Sequence, residues 1–374
     1  MTGVLLEHAF TAGEFAGRRA STLALAAEVG AAGVLAFGEN RSGPAVTYLT
    51  GWPVTRTAYY RLTAGDSTLW VQFHNHVASA RRTAVNAAVR DIDAMTLEQL
   101  LDGHPSLATL GPVPPVVRAR AMERGVELVA IDAAHARLRA VKSVEEQQAL
   151  RLGAQASDAG AEALIEACRP GARDWDLLAA ARDAYTRLGA RDHICYLAVT
   201  DMHHPDRDVP AQFPEGRVLS PSSVITFELS AAVSAEYPGQ ILRTVALGGP
   251  TEEYQRMHDV AMAARDAMRA RVRAGAAARD LVDASCGIEQ AGLTTTDDLF
   301  HGLGMGYLEP IGTSASRVPV HVPAGALEAG MAIVIQPNVT RRDHAAGVQT
   351  GEMVIVTQDG FEDIHRIAEG LVSR

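Results

Sequence analysis

Three groups of side chains could do proton chemistry. His203 and His204 stand side by side before Pro205. Imidazole titrates near neutral pH, so either one can serve as a general base. Glu228 sits in Val224–Ser230, where the polar residues Thr226, Glu228 and Ser230 alternate with Ile225, Phe227 and Leu229. On a strand that spacing puts the three polar side chains on one face. A carboxyl group there, beside apolar walls, holds its proton more tightly and can act as an acid. His301 opens the run His301-Gly302-Leu303-Gly304, and Glu309-Pro310 follows.

The elements that must position these groups can be read in outline. Helical spacing over Thr22–Ala32 leads into a buried strand at Val34–Phe37. Val46–Leu49, closed by Thr50-Gly51, reads as another strand, and Ser67–Val71 as a third. Asn75–Arg90, rich in Ala and Arg, reads as a helix. This alternation predicts a compact α/β domain to about residue 140. Ser143 with Glu146 forms a capping box for a helix running to about Ala167, stopped by Pro170-Gly171. Asp174 opens a helix to about Leu188, and Thr251 caps one to about Arg273. Strands are predicted at Val224–Ser230, Ile241–Leu247, Ala332–Gln336 and Met353–Thr357.

The composition sets bounds. A chain of 374 residues with 47% hydrophobic and 21% charged residues can fill two globular cores. A net charge of −10 gives no basic surface for tracking phosphates, so no nucleic-acid partner is expected. Cys168, Cys195 and Cys286 include no CxxC pair and suit reduced thiols in the cytoplasm. The start, MTGVLLEHAF, carries no basic n-region or long apolar core, so no signal peptide is expected. No apolar run reaches the length of a membrane helix, so no membrane partner is expected either.

Five segments fall in one order at one spacing. They are Val141–Glu146 with Leu150-Arg151 and Ala154, Arg243-Thr244, His301–Gly304 with Glu309-Pro310, Leu327–Pro337, and Gly347–Thr357. Together they resemble the aminopeptidase P, creatinase and methionine aminopeptidase family, and Tyr48–Trp52 resembles a turn common in its members. The resemblance implies a small N-terminal creatinase-like α/β domain over residues 1–140. It also implies a C-terminal pita-bread domain over 141–374, with a curved, mostly antiparallel sheet and the site in its concave face. A homodimer and a small-molecule substrate are further implications.

Metallopeptidases of this family hold two divalent ions with two Asp, one His and two Glu. Carried over by position, the first Asp falls on Glu228 or Leu229 and the second on Gln240. The His falls on His301, the first Glu on Gln336, and the last Glu on Gly351, next to Glu352. Two hard cations need several anionic oxygens. Amides and a glycine supply none, so no dinuclear site is expected; the alternative is one weakly held divalent ion such as manganese or zinc. Creatinase, which is similar, hydrolyses a C–N bond without metal through a histidine.

The resemblance thus implies a metal-independent, creatinase-like hydrolase acting on a small polar nitrogen-containing molecule. His203 or His204, His301, Glu228 and Glu309 are its acid–base candidates. Gln240, Gln336, Arg243, Glu352, Arg56, Tyr60 and Arg61 are its substrate-binding candidates. Lyase or cyclase chemistry could use the same groups. The competing readings are a metal-dependent Xaa-Pro aminopeptidase and a non-catalytic binding protein.

Overall fold

A computed structural model describes residues 9–233 and 236–374. The expectation about a signal peptide rests largely on Met1–His8, which lie outside the described residues. The described chain divides into two compact units, Ala9–Arg139 and Ala140–Arg374.

The first unit is built on a six-stranded mixed sheet. Its central strand, Gly33–Gly38, pairs antiparallel with Ala58–Thr63 and parallel with Ser106–Leu110. Three elements differ from the sequence expectation. Val46–Leu49 lies in a helix, Pro44–Thr50, and not in a strand. Pro44 pre-sets the first helical φ, Gly51 closes the end in the left-handed region, and Thr50 Oγ1 returns a hydrogen bond to Val46 O. These end signals override the strand preference of Val46 and Thr47. The helix expected over Asn75–Arg90 is His74–Thr83; its chain then extends into the edge strand Ala88–Asp91. The first helix also begins earlier than its spacing indicates, at Ala12, because the Thr11 hydroxyl accepts from Glu14 N.

The second unit holds a nine-stranded sheet. Seven strands run in the order Gly306–Gly312, Phe300–Gly304, Ala332–Ile335, Gly351–Val356, Pro238–Ala246, Ser223–Ala232 and Arg191–Asp201, all pairing antiparallel. The helices Val144–Ala167 and Asp174–Arg187 cover one face. There Ile225, Phe227, Leu229 and Ile241 join Leu164, Leu177 and Tyr185 in one core. The predicted capping box is present: the Ser143 hydroxyl accepts from Glu146 N, and the Glu146 carboxylate accepts from Ser143 N. No helix of the described residues is long and apolar enough to cross a membrane.

The long helix meets the sheet by direct backbone approach. A Cβ on Gly153 would lie 2.7 Å from both Gly239 N and Tyr237 O. One turn further on, Ser157 Oγ donates to Gly239 O at 2.6 Å and accepts from Ala231 N at 2.8 Å. Gly153→Ala is therefore expected to lower stability by about 1–3 kcal/mol, through overpacking against backbone that cannot yield. Denaturant unfolding checks this; an unchanged midpoint would mean the contact is loose.

Candidate functional site

On an antiparallel pair, directly opposed residues share a face of the sheet. Glu228 opposes Leu242, Ser230 opposes Gln240, and Leu242 opposes Gly351. Glu228 and Gln240 accordingly project away from the helices, and Leu229 projects toward them. This resolves the register left open in the sequence: Glu228, and not Leu229, faces the concave side. A cavity of about 310 Å³ lies there. Glu228, Gln240, Asp297, His301, Tyr307 and Gln336 line it, together with His193, Ile194, Tyr196, Pro210, Gln212 and Leu303.

The polar side chains form one connected run. Gln240 Nε2 donates at 2.9 Å to both Glu228 Oε1 and Gln336 Oε1. Gln336 Nε2 donates at 3.0 Å to Asp297 Oδ2, which also accepts from Asn338 Nδ2 at 3.2 Å. Asp298 N donates to Asp297 Oδ1 at 2.8 Å. Two amides thus stand between two carboxyl groups. Burial, with a smaller contribution from the Asp297 charge, pushes Glu228 up to about 8. The protein packed around Asp297 raises its carboxyl above the ordinary value as well. Thr226 Oγ1 and Ser230 Oγ, which alternate with Glu228, are buried without a hydrogen-bond partner among the described residues.

His301 is 1% exposed. Its Nδ1 lies 3.1 Å from Gly302 O. A carbonyl can only accept, so Nδ1 carries the proton and Nε2 keeps its lone pair. Burial lowers this imidazole to about 4, so the ring is neutral at physiological pH. Its ring stacks on Tyr307 at 3.9 Å between centroids. The Tyr307 hydroxyl donates to Asp298, and Asp298 also pairs with Arg317.

Other expected site residues lie elsewhere. His203 and His204 are exposed in the loop after Arg191–Asp201, where their backbone N–H groups donate to Asp201 Oδ1. Neither lines the cavity. Glu309 is exposed and accepts from Ile311 N. Arg243 and Glu352, expected to touch substrate, face the opposite side of the sheet. Arg243 Nη2 donates to Glu352 Oε2 at 2.7 Å, and Arg269 Nη1 to Glu352 Oε1 at 2.8 Å. The remaining Arg243 donors go to the carbonyls of Leu242, Gly351 and Ala368. The alternation explains this: Gly351 takes the cavity face, so Glu352 must take the other. In the first unit, Arg56 donates to Asn40 Oδ1, Tyr60 bonds Ser67 Oγ, and Arg61 pairs with Asp66.

Sequence reasoning missed Asp297, Tyr307 and His193. Asp297-Asp298 stands four residues before His301, and a paired carboxylate so close to a candidate histidine was a usable signal.

Residues 148–358 match the model of metallopeptidase family M24, which is more than half of the chain. The chain belongs to this family. It is 28% identical over 191 residues to an uncharacterized hydrolase/peptidase of Sinorhizobium fredii, spanning 48% of this chain and 47% of that protein. It is 26% identical over 235 residues to an uncharacterized peptidase of Staphylococcus haemolyticus, spanning 62% of this chain and 64% of that one. The matches thus cover about half to two-thirds of these relatives' lengths. Among solved structures, a dipeptidase PepE from Mycobacterium ulcerans superposes with a TM-score of 0.81 at 22% identity. That alignment covers 97% of this chain and 99% of the other. A prolidase from Pyrococcus horikoshii gives 0.80 at 18% identity, over 95% and 100%. At these identities the likeness establishes the pita-bread fold that the sequence resemblance implied.

The raised Glu228 carboxyl sets a pH dependence. The folded chain holds this proton more tightly than the unfolded chain does, so its contribution to stability is present below about 4.5 and is lost as pH rises through about 8. Glu228→Gln removes that loss. The variant is expected to be more stable than the wild type at about pH 9, by roughly 2–5 kcal/mol, with no such advantage near pH 4. Urea unfolding at the two pH values reads the difference; equal offsets at both would show that Glu228 titrates normally.

Proposed function

We propose that this member of a hydrolase family cleaves a C–N bond of a small polar molecule in the 310 Å³ cavity without a pair of metal ions. The observation that carries the reading is the amide bridge. Gln240 and Gln336 place N–H donors, and not anionic oxygens, between Glu228 and Asp297. Two divalent cations need about four negative charges around them. The donor set does not fit that need. Gln240 and Gln336 are neutral, Gly351 offers no side chain, and Glu352 is consumed by Arg243 and Arg269. Among the described residues, no group of three or more His, Cys, Asp or Glu side chains has the geometry to hold a metal ion.

In this reading Glu228 enters protonated and is the acid. Asp297, facing the same cavity across the two amides, is the base and takes a proton from water. The water oxygen bonds to the carbon as the C–N bond breaks, and the Glu228 proton goes to the departing nitrogen. The two protons balance, and a second exchange with solvent resets both carboxyl groups. The neutral His301 Nε2 accepts a hydrogen bond from a substrate N–H or from the water. His203 and His204, being outside the lining, take no part in these steps. The homodimer implied by the resemblance, and the cytoplasmic setting suggested by the unpaired cysteines, belong to the same proposal.

Elemental analysis of the purified chain, followed by a turnover screen of small amides, ureides and amidines with and without EDTA, tests it. The expected result is less than one metal ion per chain, turnover that survives the chelator, and loss of about a hundredfold or more in kcat with Glu228→Gln. Two ions per chain, with Xaa-Pro cleavage abolished by EDTA and restored by manganese, would overturn it.

A further inference from the structure

A second concavity of about 470 Å³ in the same unit has the opposite electrostatic character. Thr294, Thr295, Ser316, Arg317, Arg342 and His344 line it, with no carboxylate among the lining residues. The neighbouring acids are already engaged. Asp298 is held by Arg317 and by the Tyr307 hydroxyl. Asp343 is held by Arg341, which also lies 3.5 Å from Glu253. Glu289 accepts from Ser316 N and from Ser316 Oγ.

Arg342 differs from its neighbour Arg341 in this respect. Its Nε donates to Gly292 O at 3.2 Å, and among the described residues it makes no ion pair. The terminal nitrogens of its guanidinium therefore remain available, in the fork arrangement that suits carboxylate or phosphate oxygens. Arg317 supplies a second positive charge, half-used by Asp298, and His344 supplies a ring with no bound partner among the described residues.

We propose that this concavity is an oxyanion-binding site, which takes a carboxylate or phosphate group between Arg342 and Arg317. The site is independent of the hydrolytic reading of the larger fold, although the two are one residue apart in the chain. Asp297 lines the hydrolytic cavity, and Asp298 holds Arg317. An anion that draws on Arg317 competes with Asp298 and so reaches the Tyr307 ring stacked on His301.

Calorimetric titration with inorganic phosphate, and separately with acetate, tests this at constant ionic strength maintained with sodium chloride. Saturable binding of at least one probe is expected, and the stronger of the two identifies the class of oxyanion. Arg342→Ala alters an exposed side chain, so its unfolding midpoint without anion should match the wild type. It is expected to weaken binding about tenfold or more, as loss of a charge-assisted hydrogen bond does. Arg118→Ala, which removes an exposed charge from the other unit, should leave affinity unchanged. Equal affinity in Arg342→Ala and wild type, or no saturation with either probe, would overturn the site.

Discussion

The backbone of the helix Val144–Ala167 comes so close to the strand bearing Gln240 that only glycine fits on either side. A Cβ at Gly239 would fall 2.2 Å from Ala154 N, and one at Gly153 would fall 2.7 Å from Gly239 N. Ser157 then threads between the two strands of the hairpin, bonding Gly239 O and Ala231 N. The register of this hairpin sets which side chains look into the cavity. A slip of one residue would turn Glu228 and Gln240 into the helix-facing core and bring Leu229 and Ile241 into the site.

The sheet separates its charges by face. Toward the helices, Glu352 meets Arg243, Arg265 and Arg269, so a buried carboxylate stays ionised among cations, its pKa lowered chiefly by Arg243. Toward the cavity, Glu228 and Asp297 meet amides and a neutral imidazole, and both hold protons more tightly than usual. Breaking the first arrangement strands buried charge, which is costly. The second leaves carboxyl groups whose ionisation a ligand can change. The two environments are separated by the thickness of one strand.

Much of this was legible in the sequence, for identifiable reasons. Ser143 and Glu146 marked a helix start because capping is local. The Thr226, Glu228, Ser230 alternation put these three side chains on one face because a two-residue period fixes which residues share a face. Gln240, Gln336 and His301 were placed by position through the resemblance to the family, and all three line one cavity. What failed was non-local. The His203-His204 pair has the right chemistry, but the loop carries it outside the lining, and nothing in the sequence fixes a loop's path. Val46–Leu49 has strand-forming side chains inside helix end signals, and the end signals prevailed. Asp297 reaches the site through a turn whose geometry no periodicity reports.

Gly351 has a consequence for any attempt to furnish this cavity with acids. A Cβ there would sit 2.3 Å from Ile335 O and 3.0 Å from Gln336 Cβ, in a backbone conformation that side chains rarely adopt. Converting Gln240 and Gln336 into acids would therefore not rebuild a full ligand ring. The fifth member has no room until the neighbouring strand moves. An acid at position 351 therefore requires a backbone rearrangement first, whatever is placed at 240 and 336.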